Sequence, residues 1–198
     1  MPVAGLEPPG PAGIYDALAA TAAAVALVPD LQPSVIAQAL QSFKVAGHRG
    51  QQVAEARGIV AIDNSKATNP HAADSALAGH DSVIWVAGGQ LKGAEVDDLI
   101  ARHAHRLKAV ALMGVDRNII RESVEKHAPG VPIFVTDDTD PQSAMDAVCA
   151  WAVTQASSGD AIVLAPAAAS LDMYTGMGQR GVLFAESVSA HLGGVAPK

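Results

Sequence analysis

The sequence predicts an α/β fold: a doubly wound, Rossmann-like and mostly parallel sheet of about six strands, flanked by helices. Two observations lead to this prediction. From residue 51 onward, short apolar runs alternate with longer helical runs, as buried parallel strands alternate with their crossover helices. Before that point, two helical segments follow one another without a strand. We therefore expect two parts, residues 1–46 and residues 47–198.

The first part begins with a Pro- and Gly-rich segment at residues 1–11, which is typical of a loop. Helices are predicted at 13–28 and 33–43, the second opened by Pro33. One face of the second helix is formed by Val35, Ile36, Leu40 and Phe43. Two helices cannot enclose a core of their own, so we expect them to pack against the second part or to stay mobile.

In the second part, strands are predicted at 51–56, 59–63, 82–87, 109–113, 132–136 and 161–164. Helices are predicted at 69–78, 94–107, 116–127, 140–157 and 179–192. One face of the helix at 94–107 is formed by Val96, Leu99, Ile100, His103 and Leu107. Asn69, Asp116 and Asp140 are expected to cap helix N-termini. Pro70 and Pro141 suit the first helical positions.

Composition argues against several classes of protein. The net charge of −7 disfavours nucleic-acid binding, which needs clustered cations. No apolar run reaches the roughly 18 residues of a membrane span, and the N-terminus lacks the pattern of a signal peptide. The single cysteine, Cys149, cannot form an internal disulfide. We expect a buried thiol and a cytoplasmic protein.

The most informative stretch is the turn DNSKATNP at residues 63–70, between a predicted strand and a predicted helix. It places Lys66 and Thr68 at the carboxyl end of a strand, where open α/β sheets bind their ligands. A cation beside a hydroxyl suits a carboxylate or a phosphate. From composition alone, the alternative is a surface lysine in an ordinary capped turn.

Two further strand ends carry similar chemistry. The loop GGQLKG at residues 88–93 lets backbone N–H groups approach an anion, and Lys92 adds a positive charge. Ser170 and Leu171 follow the strand at 161–164, where backbone N–H groups could hold a carboxylate. Neither loop is a P-loop or a dinucleotide fingerprint. The alternatives are a flexible loop at Lys92 and a helix cap at Ser170. The histidines show no metal-ligand spacing, so no metal site is predicted in this chain.

These motifs, with two others, resemble the Mur ligase family of peptidoglycan precursor synthesis, and within it the ligases that add D-glutamate. The sequence GHR at 47–49 stands before a strand, as the family's His-Arg motif does at the entry to its C-terminal domain. The sequence LAPAAASLD at 164–172, followed by QRG at 179–181, resembles the family's closing motif. The similarity runs from about residue 10 to residue 194.

The resemblance implies an ATP-dependent, ADP-forming ligase that joins D-glutamate to UDP-MurNAc-L-alanine. It implies that D-glutamate is held by Lys66, Thr68, Lys92, Ser170, Leu171 and Met177, the last in the place of a family phenylalanine. It implies that the nucleotide is approached by Arg49, Asn64 and Asp16. ATP and Mg²⁺ are implied for the complete enzyme and would be bound mainly by domains that this chain lacks.

The resemblance covers only the C-terminal portion of a three-domain enzyme. Residues 1–46 resemble the tail of the central ATPase domain, and residues 47–198 resemble the glutamate-ligase domain. The missing N-terminal and central domains would be partners of this chain. Because the P-loop is missing, the chain alone is expected to be inactive. The sequence departs from the family's nucleotide contacts at Asp16, Gln51 and Asn64, the last standing where the family has an aspartate.

Two other functions remain open from the sequence. The first is a non-catalytic, Rossmann-like module that binds an anion or a metabolite, which the missing P-loop favours. The second is a nucleotide-dependent oxidoreductase, which the lack of a G-x-G-x-x-G fingerprint disfavours.

Overall fold

A computed structural model describes Leu6 and residues 11–193 of the chain. Most of the predicted loop at 1–11, and residues 194–198 of the second part, lie outside the described residues. The helices are α1 (Pro11–Leu27), α2 (Pro33–Ser42), α3 (Pro70–Leu77), α4 (Asp97–His103), α5 (Arg117–His127), α6 (Pro141–Gln155) and α7 (Met177–Leu192). The strands are β1 (Gln51–Ala56), β2 (Ile59–Asp63), β3 (Val83–Gly88), β4 (Leu107–Met113), β5 (Ile133–Val135) and β6 (Ala161–Leu164).

The strands form one sheet in the order β1-β2-β6-β3-β4-β5. β1 pairs antiparallel with β2 through a tight hairpin, whose turn residues Arg57 and Gly58 both have positive φ. The other neighbouring pairs are parallel. The predicted α/β fold with a mostly parallel sheet is therefore confirmed, and each predicted strand is present.

Both faces of the sheet are covered, and β3 shows why. Its side chains alternate between the faces, as the pleat of a strand requires. Val83, Trp85 and Ala87 join the core beneath α3, α4 and α5. Ile84 and Val86 join the core beneath α6 and α7. Because both faces are dry at the centre of the sheet, β3 and β6 are apolar at every position, and this produced the clear signal in the sequence. Cys149 is buried in the second core, as predicted.

The predicted helix at 94–107 is wrong at both ends. α4 covers only Asp97–His103, a 3₁₀ turn follows at Ala104–Arg106, and Leu107 already begins β4. The start is displaced because Ala94 closes a turn by donating its N–H to the carbonyl of Leu91. The predicted apolar face is nevertheless buried; it consists of Val96, Leu99, Ile100, His103 and Leu107.

The three predicted N-cap residues stand at N-cap positions, and two of them cap their helix with a side-chain hydrogen bond. Asn69 Oδ1 accepts a hydrogen bond from the N–H of Ala72, and Asp140 Oδ1 accepts one from Ser143, each at 2.9 Å. Asp116 occupies the N-cap position of α5, as predicted, but its side chain makes no capping bond. Its carboxylate instead accepts the N–H of Leu91 at 2.7 Å, a contact between loops that helix patterns do not reveal. Pro70 and Pro141 begin α3 and α6, as predicted.

The two N-terminal helices expose most of their apolar side chains. No residue of α2 is buried, and Val35 and Phe43 of its predicted apolar face are 52% and 54% exposed. Tyr15, Leu18 and Leu27 of α1 are exposed as well. These helices therefore contribute no apolar core of their own to the sheet. None of the described helices is long and apolar enough to cross a membrane.

The exposed state of α1 and α2 predicts weak protection from hydrogen exchange. Local opening costs little free energy where few apolar contacts are lost. We expect amides in α1 and α2 of the 198-residue chain to exchange faster than amides in β3 and β4. Mass-spectrometric exchange resolved by peptide measures this, and equal protection throughout the chain would contradict it.

A buried histidine links α3 to α4. His103 is 2% exposed, and its Nε2 lies 2.7 Å from Oδ1 of Asp74. Burial lowers the pKa of His103 below its ordinary value, and the contact with Asp74 only partly opposes that effect. Burial alone would raise the pKa of Asp74, but the bond to His103 and the charge of Arg102 lower it below its ordinary value.

This pair predicts a loss of stability in mild acid. The unfolded chain binds a proton at His103 below about pH 6.5, whereas the folded chain resists it, so lowering the pH favours unfolding. When the pH falls from 7.5 to 5.5, the free energy of unfolding should decrease less in His103→Gln than in the wild type. We expect the difference to be on the order of 1 kcal/mol. Urea titrations at both values measure this. His71→Gln, which removes an exposed imidazole, is the control. Identical pH dependence in wild type and His103→Gln would refute the prediction.

Candidate functional site

Three adjacent parallel strands bring the predicted site residues to one edge of the sheet. Asp63 of β2, Leu164 of β6 and Val86 of β3 lie in one row near the carboxyl ends. The segments that follow are the Lys66 turn (residues 64–69), the Ser170 loop (165–176) and the Lys92 loop (89–96). The chain then continues to α3 and α4 on one face of the sheet and to α7 on the other. Such a point is where doubly wound sheets open a crevice for ligands.

A single side chain, Arg180 of α7, contacts the ends of all three strands. Its Nε donates to Ser65 Oγ at 3.1 Å, and its Nη2 donates to the Ser65 carbonyl at 2.8 Å. Its Nη1 donates to the carbonyls of Ala168 at 3.1 Å and Gly88 at 3.4 Å. The Lys66 turn, the Ser170 loop and the end of β3 before the Lys92 loop are therefore held by one guanidinium.

Backbone bonds connect the same segments in pairs. Gln90 and Ala169 exchange two hydrogen bonds of 2.9 and 2.8 Å, which join the Lys92 loop to the Ser170 loop. The N–H of Ala167 donates to the carbonyl of Ala67 at 3.0 Å, which joins the Ser170 loop to the Lys66 turn. A Cβ on Gly89 would lie 2.1 Å from the carbonyl oxygen of Ala169, so this close approach needs glycine.

Asp63, at the end of β2, holds the Lys66 turn in place through its carboxylate. Its Oδ1 accepts the N–H of Ser65 at 2.8 Å, and its Oδ2 lies 2.6 Å from Nδ1 of His48. The His48 carbonyl in turn accepts the N–H of Lys66. Gly181 lets α7 approach this pair, because a Cβ there would lie 2.1 Å from His48 Nδ1. The carboxylate of Asp63 is thus committed to structure.

The three predicted nucleotide residues line one cleft. Asp16, Arg49 and Asn64 share a cleft of about 200 Å³ with α3. An adjoining cleft of about 300 Å³ has Arg49 and Asn64 again, together with His48 and Lys66. Lys66 is therefore next to the predicted nucleotide residues, at the border between them and the rest of the carboxyl edge.

Lys92 lies in a different cavity, of about 530 Å³. Its side chain is exposed, and its backbone has a positive φ of 55°. Acidic side chains share this cavity, but two of them already have partners. Asp97 binds Lys126 and Ser123, and Asp116 binds the N–H of Leu91. Lys92 makes no hydrogen bond or ion pair within the described part of the chain, so its ammonium is free for a ligand.

The Ser170 loop offers backbone donors between the two lysines. Ser170 is 4% exposed, and its carbonyl accepts bonds from Met173 and Tyr174. Among the hydrogen bonds of the described residues, none is donated by the N–H of Ser170 or Leu171. Ser170 does not cap α7, which begins at Met177. Two consecutive free N–H groups at this edge suit an anion such as a carboxylate.

The remaining predicted glutamate residues surround these groups. The N–H of Thr68 donates to the carbonyl of Lys66 within the turn. Leu171 and Met177 are 66% and 42% exposed, so both offer apolar surface at the edge. The Met177 carbonyl accepts the hydroxyl of Ser65 at 2.7 Å, which fixes the start of α7 against the Lys66 turn.

The charge of Arg180 persists at neutral pH. Burial lowers the pKa of this guanidinium to about 10, and nearby Tyr174, Asp172 and Asp63 oppose that effect. Burial also raises the pKa of Tyr174, so its hydroxyl stays protonated. A positive charge therefore lies directly beneath the three segments, where it favours anionic ligands.

The described residues do not offer a metal site at this edge. They contain no group of three or more His, Cys, Asp or Glu side chains that could hold a metal ion. The donors present do not fit the Mg²⁺ that the resemblance implies for the complete enzyme.

Sequence reasoning placed the lysines and Ser170 at one edge but missed the residues that hold them there. Arg180, Asp63 and His48 were noticed only within motifs, and none was given this role. An arginine followed by a glycine near the start of a predicted helix is a weak signal of a buried cation, and it does not identify the partners.

A family model described as Mur ligase, glutamate ligase domain, matches residues 48–168. A UDP-N-acetylmuramoylalanine–D-glutamate ligase from Corynebacterium diphtheriae is 65% identical over 95% of this chain and 39% of its own length. An enzyme of the same name from Corynebacterium efficiens is 57% identical over 100% of this chain and 41% of its own length. The chain thus spans about two fifths of the curated relatives it matches.

A solved structure supports the fold. The UDP-N-acetylmuramate-alanine ligase of Thermotoga maritima superposes with a TM-score of 0.64 at 17% identity. The superposition covers 93% of this chain and 39% of that one. At this identity the likeness concerns the fold alone. The family match includes β1 to β6 and the Lys66 turn, the Lys92 loop and the first part of the Ser170 loop. The chain belongs to the Mur ligase family, as a glutamate ligase domain.

Proposed function

We propose that this chain is the acceptor-binding domain of an ATP-dependent ligase that adds D-glutamate to UDP-MurNAc-L-alanine. One observation carries the proposal. The Lys66 turn, the Ser170 loop and the Lys92 loop follow adjacent parallel strands, and they present two lysines on either side of two free backbone N–H groups. Neighbouring strands lie about 4.8 Å apart, so β2 and β3 are separated by about 10 Å. A dicarboxylic amino acid suits that arrangement.

In the proposed reaction, the carboxylate of UDP-MurNAc-L-alanine receives the terminal phosphoryl group of ATP, with ADP released. The amine of D-glutamate attacks the acyl phosphate, an amide bond forms, and inorganic phosphate leaves. Such chemistry needs positioned cations and donors rather than an enzyme nucleophile. Lys92 would pair with one carboxylate of glutamate, and the N–H groups of Ser170 and Leu171 would hold the other. Lys66 and Thr68 would complete the glutamate site, on the side where it meets the transferred phosphoryl group.

The nucleotide would occupy the cleft between Arg49 and α3. Arg49 is exposed there and can form paired hydrogen bonds to phosphate oxygens. Asn64 lines the same cleft and can accept a hydroxyl hydrogen bond, without the charge assistance of a carboxylate. Asp63 does not replace it, because its carboxylate is bound to Ser65 and His48. Asp16 brings α1 to the edge of this cleft.

The remaining parts of the reaction are assigned to the rest of a longer protein. Residues 1–46 would be the end of a central ATPase domain, and residues 47–198 the acceptor domain. The exposed side chains of α1 and α2 support that division, since they join no core with the sheet. ATP and UDP-linked substrates are cytoplasmic metabolites, so we place the reaction in the cytoplasm. Closure of the acceptor domain onto its neighbour would exclude water from the acyl phosphate.

A binding module without catalysis is the competing function. The same edge could bind an anionic metabolite without any reaction, and the free lysine at residue 92 favours neither view. The two functions differ in whether D-glutamate triggers phosphate release in the full-length protein.

The isolated 198-residue chain is expected to show no ligation. It contains no G-x-x-x-x-G-K-S/T sequence to hold the transferred phosphates. Phosphate release from ATP, with D-glutamate and UDP-MurNAc-L-alanine both present, should stay at the level without enzyme. The full-length protein is the positive control. Turnover by the purified chain would show that the assignment of ATP binding to other domains is wrong.

Replacing Lys92 should weaken the use of D-glutamate selectively. A charge-assisted contact contributes about 1.5–3 kcal/mol, so Lys92→Ala should raise KM for D-glutamate about 10-fold or more in the full-length enzyme. KM for ATP should change less than about twofold, because Lys92 lies outside the nucleotide cleft.

Lys126→Ala is the matched control for that experiment. It removes a lysine of α5 that binds Asp97, a residue of the same cavity, but it leaves the Lys92 loop intact. We expect both KM values to stay near those of the wild type. If Lys92→Ala raises KM for ATP and leaves KM for D-glutamate unchanged, the role given to Lys92 is wrong.

A further inference from the structure

Arg180 is an unusual residue to find enclosed in this fold. Its side chain is completely buried, yet each hydrogen-bond partner that the described residues give it is an uncharged oxygen. It also lies in the first turn of α7, where the positive end of the helix dipole disfavours a cation.

Stability does not account for an arginine at this position. Removing a charge from water is costly, and this cation has no directly bound carboxylate to offset that cost. A well-packed apolar side chain would fill the same volume without the penalty. What distinguishes the guanidinium from such a side chain is the set of hydrogen bonds that it makes to its surroundings.

The guanidinium is the only side-chain group that offers five N–H donors in a rigid plane. Here those donors reach Ser65, Gly88 and Ala168, which lie on three different segments. Ser65 lies in the Lys66 turn, Ala168 lies in the Ser170 loop, and Gly88 immediately precedes the Lys92 loop. One planar group thus holds together three segments that backbone bonds join only in pairs.

We propose that Arg180 is the positioning residue for the acceptor amino acid, which it serves by fixing the spacing of the three segments that bind it. This inference rests on the function proposed above. Arg180 itself is too deeply buried to touch a substrate. Arg180 binds the carbonyls of Gly88 and Ala168. Through them it positions Lys92 on one side and the free N–H groups of Ser170 and Leu171 on the other.

The nucleotide should depend on Arg180 much less than the acceptor does. The nucleotide cleft is built from Arg49, Asn64 and α3, and it uses only one of the three segments, the Lys66 turn. A shift of one segment against another leaves that cleft intact. An acceptor bound across all three segments loses its alignment.

The test is a kinetic comparison in the full-length enzyme. Arg180→Lys keeps the positive charge, but a single ammonium cannot reach three segments at once. We expect KM for D-glutamate to rise about 10-fold or more and KM for ATP to change less than about twofold. Arg102→Lys, which alters an exposed arginine of α4, is the matched control and should change neither KM.

Ser65→Ala is the second variant, used if Arg180→Lys does not fold. It removes one acceptor of Arg180 and the hydroxyl bond to Met177, but it leaves the guanidinium and its other partners in place. We expect a smaller rise in KM for D-glutamate, of about three- to fivefold, again without a matching rise for ATP.

The outcomes separate three possibilities. A lower melting temperature with unchanged KM for D-glutamate in both variants would mean that Arg180 is only structural, and the inference would fail. Equal rises in both KM values would also overturn it. If the wild-type enzyme releases no phosphate in response to D-glutamate, the proposed function itself fails, independently of Arg180.

Discussion

The carboxyl edge of this sheet depends on one buried cation. Backbone pairing fixes β2, β6 and β3 as neighbours and joins the segments that leave them only in pairs, so no backbone bond holds all three together. Arg180 does so by donating to the carbonyls of Ser65, Gly88 and Ala168. The arrangement is costly in isolation, because a guanidinium without a carboxylate partner has lost its hydration. It becomes understandable if the site binds anions, as we propose.

Most of the fold could be predicted because the sheet is dry on both faces. Strands buried on both sides are apolar throughout, and this distinguishes them from the amphipathic helices between them. Asn69 and Asp140 were found as caps because capping is a local interaction. The features that were not predicted depend on contacts that the local sequence pattern does not show. The side chain of Asp116 turns to Leu91, 25 residues away, and α4 is shortened by a turn that the helical pattern does not show.

The site residues show the same difference between local patterns, which could be predicted, and long-range contacts, which could not. Lys66, Lys92 and Ser170 could be placed together because each follows a parallel strand, and parallel strands end at one edge. Arg180 could not be given its role, since its bonds to Ser65 join residues separated by 115 positions. The contact between His48 and Asp63 was also not predicted, because it joins residues 15 positions apart. Asp63 stands beside Asn64 in the sequence, and only the three-dimensional contacts commit its carboxylate to the turn.

The position of Lys66 has a consequence for how the two halves of the proposed reaction meet. Lys66 borders the cleft of Arg49 and Asn64, whereas Lys92 opens into a separate cavity on the far side of β6. A nucleotide on one side and an acceptor on the other would approach each other only over the Lys66 turn. A cation at that border stabilises the charge that develops on the phosphoryl oxygens as the amine attacks. Arg180 and Asp63 hold this turn in place. In the proposed reaction, a displacement of the turn would therefore reduce the rate more than a displacement elsewhere at the edge.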